Sequence, residues 1–183
     1  MLSTKPRKLT VEEFIRDYSD LEEKYELIEG EAWAMAGASK RHNRIAQNIF
    51  TALHDKLRGG QVRVFGPGSR LLIDTANIRF PDVAVSSDPR DAHDDFDSAT
   101  FSDPELVVEV LSPASDRIQT LLEYKSLPSL RTLVWVVPEW RMIDVSERVS
   151  SREWLVTTLA PDVPLILRDL DVTLSRDEIF EDA

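Results

Sequence analysis

The sequence predicts a mixed α/β (α+β) fold, and three observations carry the prediction. Segments with apolar residues at helical spacing alternate with segments of period two, so both element types are present. The runs Leu106-Val107-Val108-Glu109-Val110-Leu111 and Leu133-Val134-Trp135-Val136-Val137 are apolar enough for buried strands, and a helical segment separates them. Strand, helix and strand in that order make a crossover unit with parallel pairing, while hairpins elsewhere supply antiparallel edges. At 183 residues the chain suits one domain, with a core expected over about 9–180.

Taken in order, Thr10 and Glu13 have capping-box spacing and open a short helix that should reach about Tyr18. Lys24 to Met35 alternates on either side of Glu29-Gly30, a hairpin turn flanked by Glu26 and Glu31. Ala46, Ile49, Phe50, Leu53 and Leu57 mark one face of a long helix that Gly59-Gly60 ends. Period-two strands then lead through Gly66-Pro67-Gly68 and Asp74-Thr75-Ala76-Asn77 into an apolar strand, Arg79 to Val85, with Asp82 at its entrance. Ala114 to Tyr124 reads as a helix capped near Ser115 or Asp116, burying Ile118, Leu121 and Leu122, and Pro128 ends it. Arg141 to Ser146 and Trp154 to Leu159 form a closing strand pair, and Ser175 to Phe180 repeats the capping-box spacing. An exposed strand such as Trp154 to Leu159 offers a pairing edge for a homodimer.

Composition narrows the chemistry. With no cysteine and only His42, His54 and His93, thiolate zinc sites are excluded, so a metal would be held by oxygen. No apolar run approaches the ~20 residues of a membrane span, and the first residues lack a signal-peptide core, so the expected location is cytoplasmic. The net charge of -11 argues against strong nonspecific DNA binding. Part of that charge sits in Asp88, Asp91, Asp94, Asp95, Asp97 and Asp103, expected as a solvated loop.

Two acids stand out because they interrupt apolar strands, Glu109 and Asp82. A lone buried carboxylate costs several kcal/mol, so each needs a cation, and a bound metal ion is one candidate. The dense basic cluster Lys40, Arg41 and Arg44 at the start of the long helix is a candidate phosphate seat, against the alternative of a solvated first turn. Likewise Glu26 is either a cross-strand surface charge or a neighbour of the metal, and His42 either a structural hydrogen-bond partner or a participant.

The set Tyr25-Glu26-Leu27-Ile28-Glu29-Gly30-Glu31, His42-Asn43, Pro81-Asp82-Val83, Val107 to Pro113 and Leu127-Pro128-Ser129-Leu130 resembles the Uma-two family of endonucleases. That family looks like a branch of the PD-(D/E)XK, or restriction endonuclease-like, superfamily, and the resemblance runs from about Leu9 to Phe180. It implies a mixed central sheet flanked by helices, with Asp82 and Glu109 as ligands of magnesium or manganese and DNA as substrate. Hard divalent ions take carboxylate oxygens and keep sites open for substrate, which agrees. Glu26 and His42 match positions characteristic of the family.

One departure falls on the chemistry. The superfamily's lysine two residues after the strand glutamate is replaced by Leu111, and the Uma-type position in the next helix is Thr120. Lys125 lies about 140° around an ideal helix from Thr120 and is a poor substitute. Arg117 shares roughly the Thr120 face and is a candidate near the acids, although arginine cannot act as a base; its alternative is a surface ion pair with Glu123 or Asp116. The expectation is thus a metal-dependent endonuclease, weakened by the missing lysine. The alternatives are an inactive binding or assembly module and a carboxylate-pair enzyme that needs no metal.

Overall fold

The structure is a computed structural model that describes residues 7–92, 100–111 and 117–183. Helix α1 (Val11–Tyr18) begins where the sequence indicates: the Thr10 side chain accepts from Glu13 N, and the Glu13 carboxylate accepts from Thr10 N. Strands β1 (Tyr25–Ile28) and β2 (Glu31–Ala34) form the hairpin, with Glu29 and Gly30 at φ 49° and 78°, as a two-residue primed turn requires. Helix α2 (Lys40–Leu57) is capped by Ser39 and buries Ile45, Ala46, Ile49 and Leu53. It gives way to Gly59 at φ 83°.

Strands β3 (Arg63–Phe65), β4 (Arg70–Asp74), β5 (Asn77–Arg79) and β6 (Val83–Ser86) precede a short helix α3 (Pro89–Ala92) and strand β7 (Thr100–Phe101). Strand β8 (Leu106–Val110), helix α4 (Arg117–Ser126) and strand β9 (Thr132–Val137) make the predicted crossover, with β8 and β9 parallel and Glu109 opposite Trp135. Strands β10 (Met142–Arg148) and β11 (Trp154–Leu159) close the sheet. A small hairpin, β12 (Leu165–Leu167) and β13 (Val172–Leu174), precedes helix α5 (Arg176–Phe180), which carries the second capping box.

The central sheet has the order β11-β10-β9-β8-β6-β3, and a second sheet has the order β2-β1-β5-β4-β7. Alternate residues of β8 and β9 serve two cores. Val108, Val110, Val134 and Val136 pack with α2 and α5, while Val107, Leu133 and Trp135 pack with Tyr124, Leu127 and Leu71. A third cluster, Phe14, Leu27 and Ile78, lies under α1. The architecture is the mixed α/β one that the sequence predicts, with a mixed central sheet flanked by helices. Among the described residues no helix is long and apolar enough to cross a membrane.

Three expectations change. The run from Arg79 to Val85 is not one strand: Arg79 ends β5 in the second sheet, and after Phe80-Pro81-Asp82 the chain enters β6 in the central sheet. Pro81 has no N–H for a ladder, so the chain changes sheets there and Asp82 marks the link. In α4, Ile118 and Leu122 are 74% and 65% exposed rather than buried, and Leu121 is only partly buried. The helix instead turns Tyr124 inward, with Glu123 half-buried, because both meet buried polar partners. In the acidic segment, Asp91 accepts from buried Ser86 and Asp103 pairs with Arg90, so part of it is structured. Asp94, Asp95 and Asp97, and the expected caps Ser115 and Asp116, lie outside the described residues.

Candidate active site

Asp82 is held from two sides. Its Oδ2 accepts from Val110 N at 2.8 Å, so the end of β8 grips the residue that introduces β6. Its Oδ1 lies 2.8 Å from His42 Nε2, and both side chains are about 85% buried, with 14% and 15% of their surface exposed. His42 reaches it because the first turn of α2 continues the buried face formed by Ile45, Ala46 and Ile49. With its proton on Nε2 the ring donates to Asp82, and the buried Nδ1 has no hydrogen-bond partner among the described residues.

Glu109 stands on the neighbouring strand, β8. Its Oε1 accepts from the hydroxyl of buried Tyr124 on α4 at 2.5 Å. Burial, and then the adjacent Asp82 carboxylate, push the Glu109 pKa well above the usual carboxylate range; the Tyr124 bond and Arg79 oppose this, and Glu26 adds to it. The Tyr124 hydroxyl is pushed up as well, first by burial and then by Glu109, so it remains a donor.

A second acid group lies alongside and is paired with a cation of the chain. Arg79, 5% exposed, donates from Nη1 to Glu26 at 2.7 Å and from Nε and Nη2 to the two Glu123 oxygens at 2.6 and 2.9 Å. Burial disfavours its charge, but the hydrogen bonds and attraction of Glu123 and Glu26 outweigh that and raise its pKa. The planar guanidinium suits this bidentate grip. Gln119 Nε2 also donates to Glu123, at 3.1 Å.

Of the residues singled out in the sequence, the structure therefore brings Asp82, Glu109 and His42 together. Glu26 is close enough to act on Glu109 electrostatically, but its carboxylate is committed to Arg79; it is neither a plain surface charge nor free for another ligand. Lys40, Arg41 and Arg44 are exposed around the start of α2 and make no ion pair among the described residues. Arg117 begins α4, and its side chain lies outside the described residues. The proposed pairing of Glu123 is taken by Arg79. Lys125 is directed elsewhere, with its ammonium over the Trp154 ring at 5.1 Å.

Sequence reasoning missed Arg79, Glu123 and Tyr124. A signal existed for each: Arg79 is a cation entering an apolar strand just before Pro81-Asp82, and Glu123 and Tyr124 follow Thr120 at three and four residues, the spacing of one helical face.

The donor set bears on a metal. Among the described residues no group of three or more His, Cys, Asp and Glu side chains is arranged to hold an ion, so a closed cage is absent there. Two carboxylates, one on β8 and one at the entrance of the neighbouring β6, with the proton affinity of Glu109 raised by burial and then by Asp82, nevertheless fit a hard cation that keeps waters in its remaining positions. Asp82 and Glu109 are the residues that would hold it.

Comparison with known proteins places this geometry in context. Residues 11–176 match the model of the Uma2 family, described as "Putative restriction endonuclease". The chain is 29% identical over 177 residues to the uncharacterized protein slr1290 of Synechocystis sp., covering 94% of this chain and 92% of that one. It is 30% identical over 155 residues to sll1609 of the same organism, covering 82% and 87%. The crystal structure of "a putative nuclease belonging to DUF820" from Anabaena variabilis matches with a TM-score of 0.75 at 17% identity, covering 94% of this chain and 97% of that one, which shows a shared fold.

Proposed function

The chain belongs to the Uma2 family, and from that premise we propose that it is a magnesium- or manganese-dependent endonuclease that hydrolyses DNA phosphodiester bonds, with Asp82 and Glu109 as the metal ligands. One observation carries the reading. Asp82, at the entrance of β6, and Glu109, on β8, make no ion pair with a lysine or arginine among the described residues, and burial, then the Asp82 charge, raises the Glu109 pKa. When bound there, a divalent ion supplies an acidified water and neutralises charge on a scissile phosphate.

The chain's own residues have definable tasks in this reading. His42 and the Val110 N–H fix the Asp82 carboxylate in one orientation, and Tyr124 does the same for Glu109. Arg79 pairs with Glu26 and Glu123 beside them and holds both carboxylates in place. Lys40, Arg41 and Arg44 at the start of α2 offer phosphate contacts, and a helix N-terminus favours anions. Thr120 brings no positive charge, so charge building on the phosphate is less well compensated and turnover is slow.

Calorimetric titration with manganese and magnesium tests this, comparing the protein with a variant carrying Asp82→Asn and Glu109→Gln, followed by incubation of both with plasmid DNA. Metal binding and cleavage that vanish together in the variant are expected. Cleavage undiminished in the variant, or persisting in chelator, removes Asp82 and Glu109 from the role.

A second reading, a nuclease-fold module that binds or assembles without cutting, is favoured by Thr120 and by the commitment of Glu26 to Arg79. The substitution Thr120→Lys separates the two: cleavage that rises in this variant marks an intact site lacking one cation. For a homodimer the edge offered is β11, with Leu155 and Val156 exposed, and sedimentation at several concentrations decides it.

A further inference from the structure

A cavity of about 210 Å³ opens between α1 and the start of β4, and none of its lining residues belongs to the acid site. Its walls are aromatic. Phe14, Tyr18, Tyr25 and Phe80 line it, with Phe14 and Tyr18 stacked at 5.3 Å between ring centroids and Tyr18 and Tyr25 edge-to-face at 5.1 Å. Two cations, Arg70 and Lys24, share the rim with one acid, Asp20. The Arg70 guanidinium is fixed by bonds from Nε to Thr100 Oγ1 at 3.1 Å and from Nη1 to Ser19 Oγ.

We infer that this cavity is a nucleotide subsite that receives one unstacked base of a single-stranded or opened DNA strand, a reading that rests on the proposed nuclease function. The size selects the ligand: at roughly 30 Å³ per water the cavity equals about seven waters. That is below the ~300 Å³ lower bound of pockets for drug-sized ligands and suits one ring system rather than a base pair. The wall chemistry agrees. Aromatic side chains stack on the face of any base, Arg70 and Lys24 meet the phosphate, and the Asp20 carboxylate accepts from an exocyclic amino group. Continuity along the chain agrees too, since Phe80 lines the cavity and leads through Pro81 directly to Asp82.

The probe is deoxyadenosine monophosphate, titrated to millimolar concentration without metal into the protein and the variants Tyr18→Leu, Arg70→Gln and Lys24→Gln, with ring signals followed by NMR. The exposed Lys24→Gln change leaves the packing intact, so a folding defect cannot account for its effect. Saturable shifts of the Tyr18, Tyr25 and Phe80 signals are expected, with affinity about tenfold weaker in Tyr18→Leu, the scale of one lost stack, and several-fold weaker in Lys24→Gln. Absence of saturable shifts in the unsubstituted protein, shifts confined to the start of α2, or unchanged affinity in all three variants overturns the inference. The metal and plasmid experiments are independent of it. Cleavage without nucleotide binding here leaves the nuclease reading standing and removes the subsite, whereas nucleotide binding without metal binding or cleavage does the reverse.

Discussion

Two groups of carboxylates lie side by side in this protein, and they differ in one respect. Glu26 and Glu123 share the guanidinium of Arg79, one cation that the chain itself provides for two acids. Asp82 and Glu109 have hydrogen bonds from His42, Val110 and Tyr124 but no ion pair with a lysine or arginine among the described residues, and burial together with Asp82 raises the Glu109 pKa well above its usual value. The first group is complete as folded. The second is completed by a proton or by a cation from outside, which is what separates a structural ion cluster from a candidate site.

The largest expected effect comes from breaking the complete group. Arg79→Met leaves two partly buried carboxylates without their cation, and urea unfolding at neutral pH should show a loss of about 3–5 kcal/mol, the scale for one partner removed from a buried ion pair. A change below about 1 kcal/mol would mean that the Arg79 cluster is solvated like a surface pair.

Next in size is Tyr124→Phe, which deletes the donor to Glu109. Leaving a buried polar group without its partner costs about 1–3 kcal/mol, so chemical unfolding should detect a loss of that order. Because the lost bond opposed the upward shift of Glu109, its titration, followed by carboxyl NMR, should move further up.

Glu109→Gln sharpens the comparison, because it should act in the opposite direction at high pH. Glu109 keeps its proton to a higher pH folded than unfolded. It therefore subtracts nothing below the ordinary carboxylate range and increasingly destabilises the fold as pH rises through the folded pKa. Glutamine removes that slope, about 1.4 kcal/mol for each unit of raised pKa, while its carbonyl can still accept from Tyr124. Unfolding curves at several pH values check this; a pH slope unchanged by the substitution would show that Glu109 ionises as an exposed acid does. Manganese should stabilise the parent protein at high pH and leave the variant unaffected.

The smallest effect on stability belongs to Lys40→Ala with Arg44→Ala, two exposed side chains without ion pairs among the described residues. Stability should change by less than about 0.5 kcal/mol. DNA affinity should fall, and the dependence of binding on salt should flatten by about one to two units of log–log slope. Equal salt slopes for parent and variant would take phosphate binding away from this helix start.

Much of the fold was legible because its cues are local. Thr10 with Glu13, Ser175 with Glu178, Glu29-Gly30, and the buried face of α2 each report on residues within a turn or two. Where the reading went astray, distant partners decided. Ile118 and Leu122 look like core by hydrophobicity, but α4 is rotated by what Glu123 and Tyr124 meet, Arg79 and Glu109. Apolar continuity from Phe80 to Val85 suggested one strand, yet Pro81 divides it between two sheets.

The sequence by itself determined that helices and strands alternate here, where most of them start and stop, and that Asp82 and Glu109 sit in apolar surroundings demanding partners. Only the tertiary structure decided who the partners are. Arg79 reaches Glu26 across 53 residues and Glu123 across 44, and His42 reaches Asp82 across 40. Periodicity along a chain says which face of an element is buried. It carries no record of which distant charge will be facing that element once two sheets close on each other, and that closure is what gave Glu26 and Glu123 an arginine while Asp82 and Glu109 meet only His42, Val110 and Tyr124 as hydrogen-bond partners among the described residues.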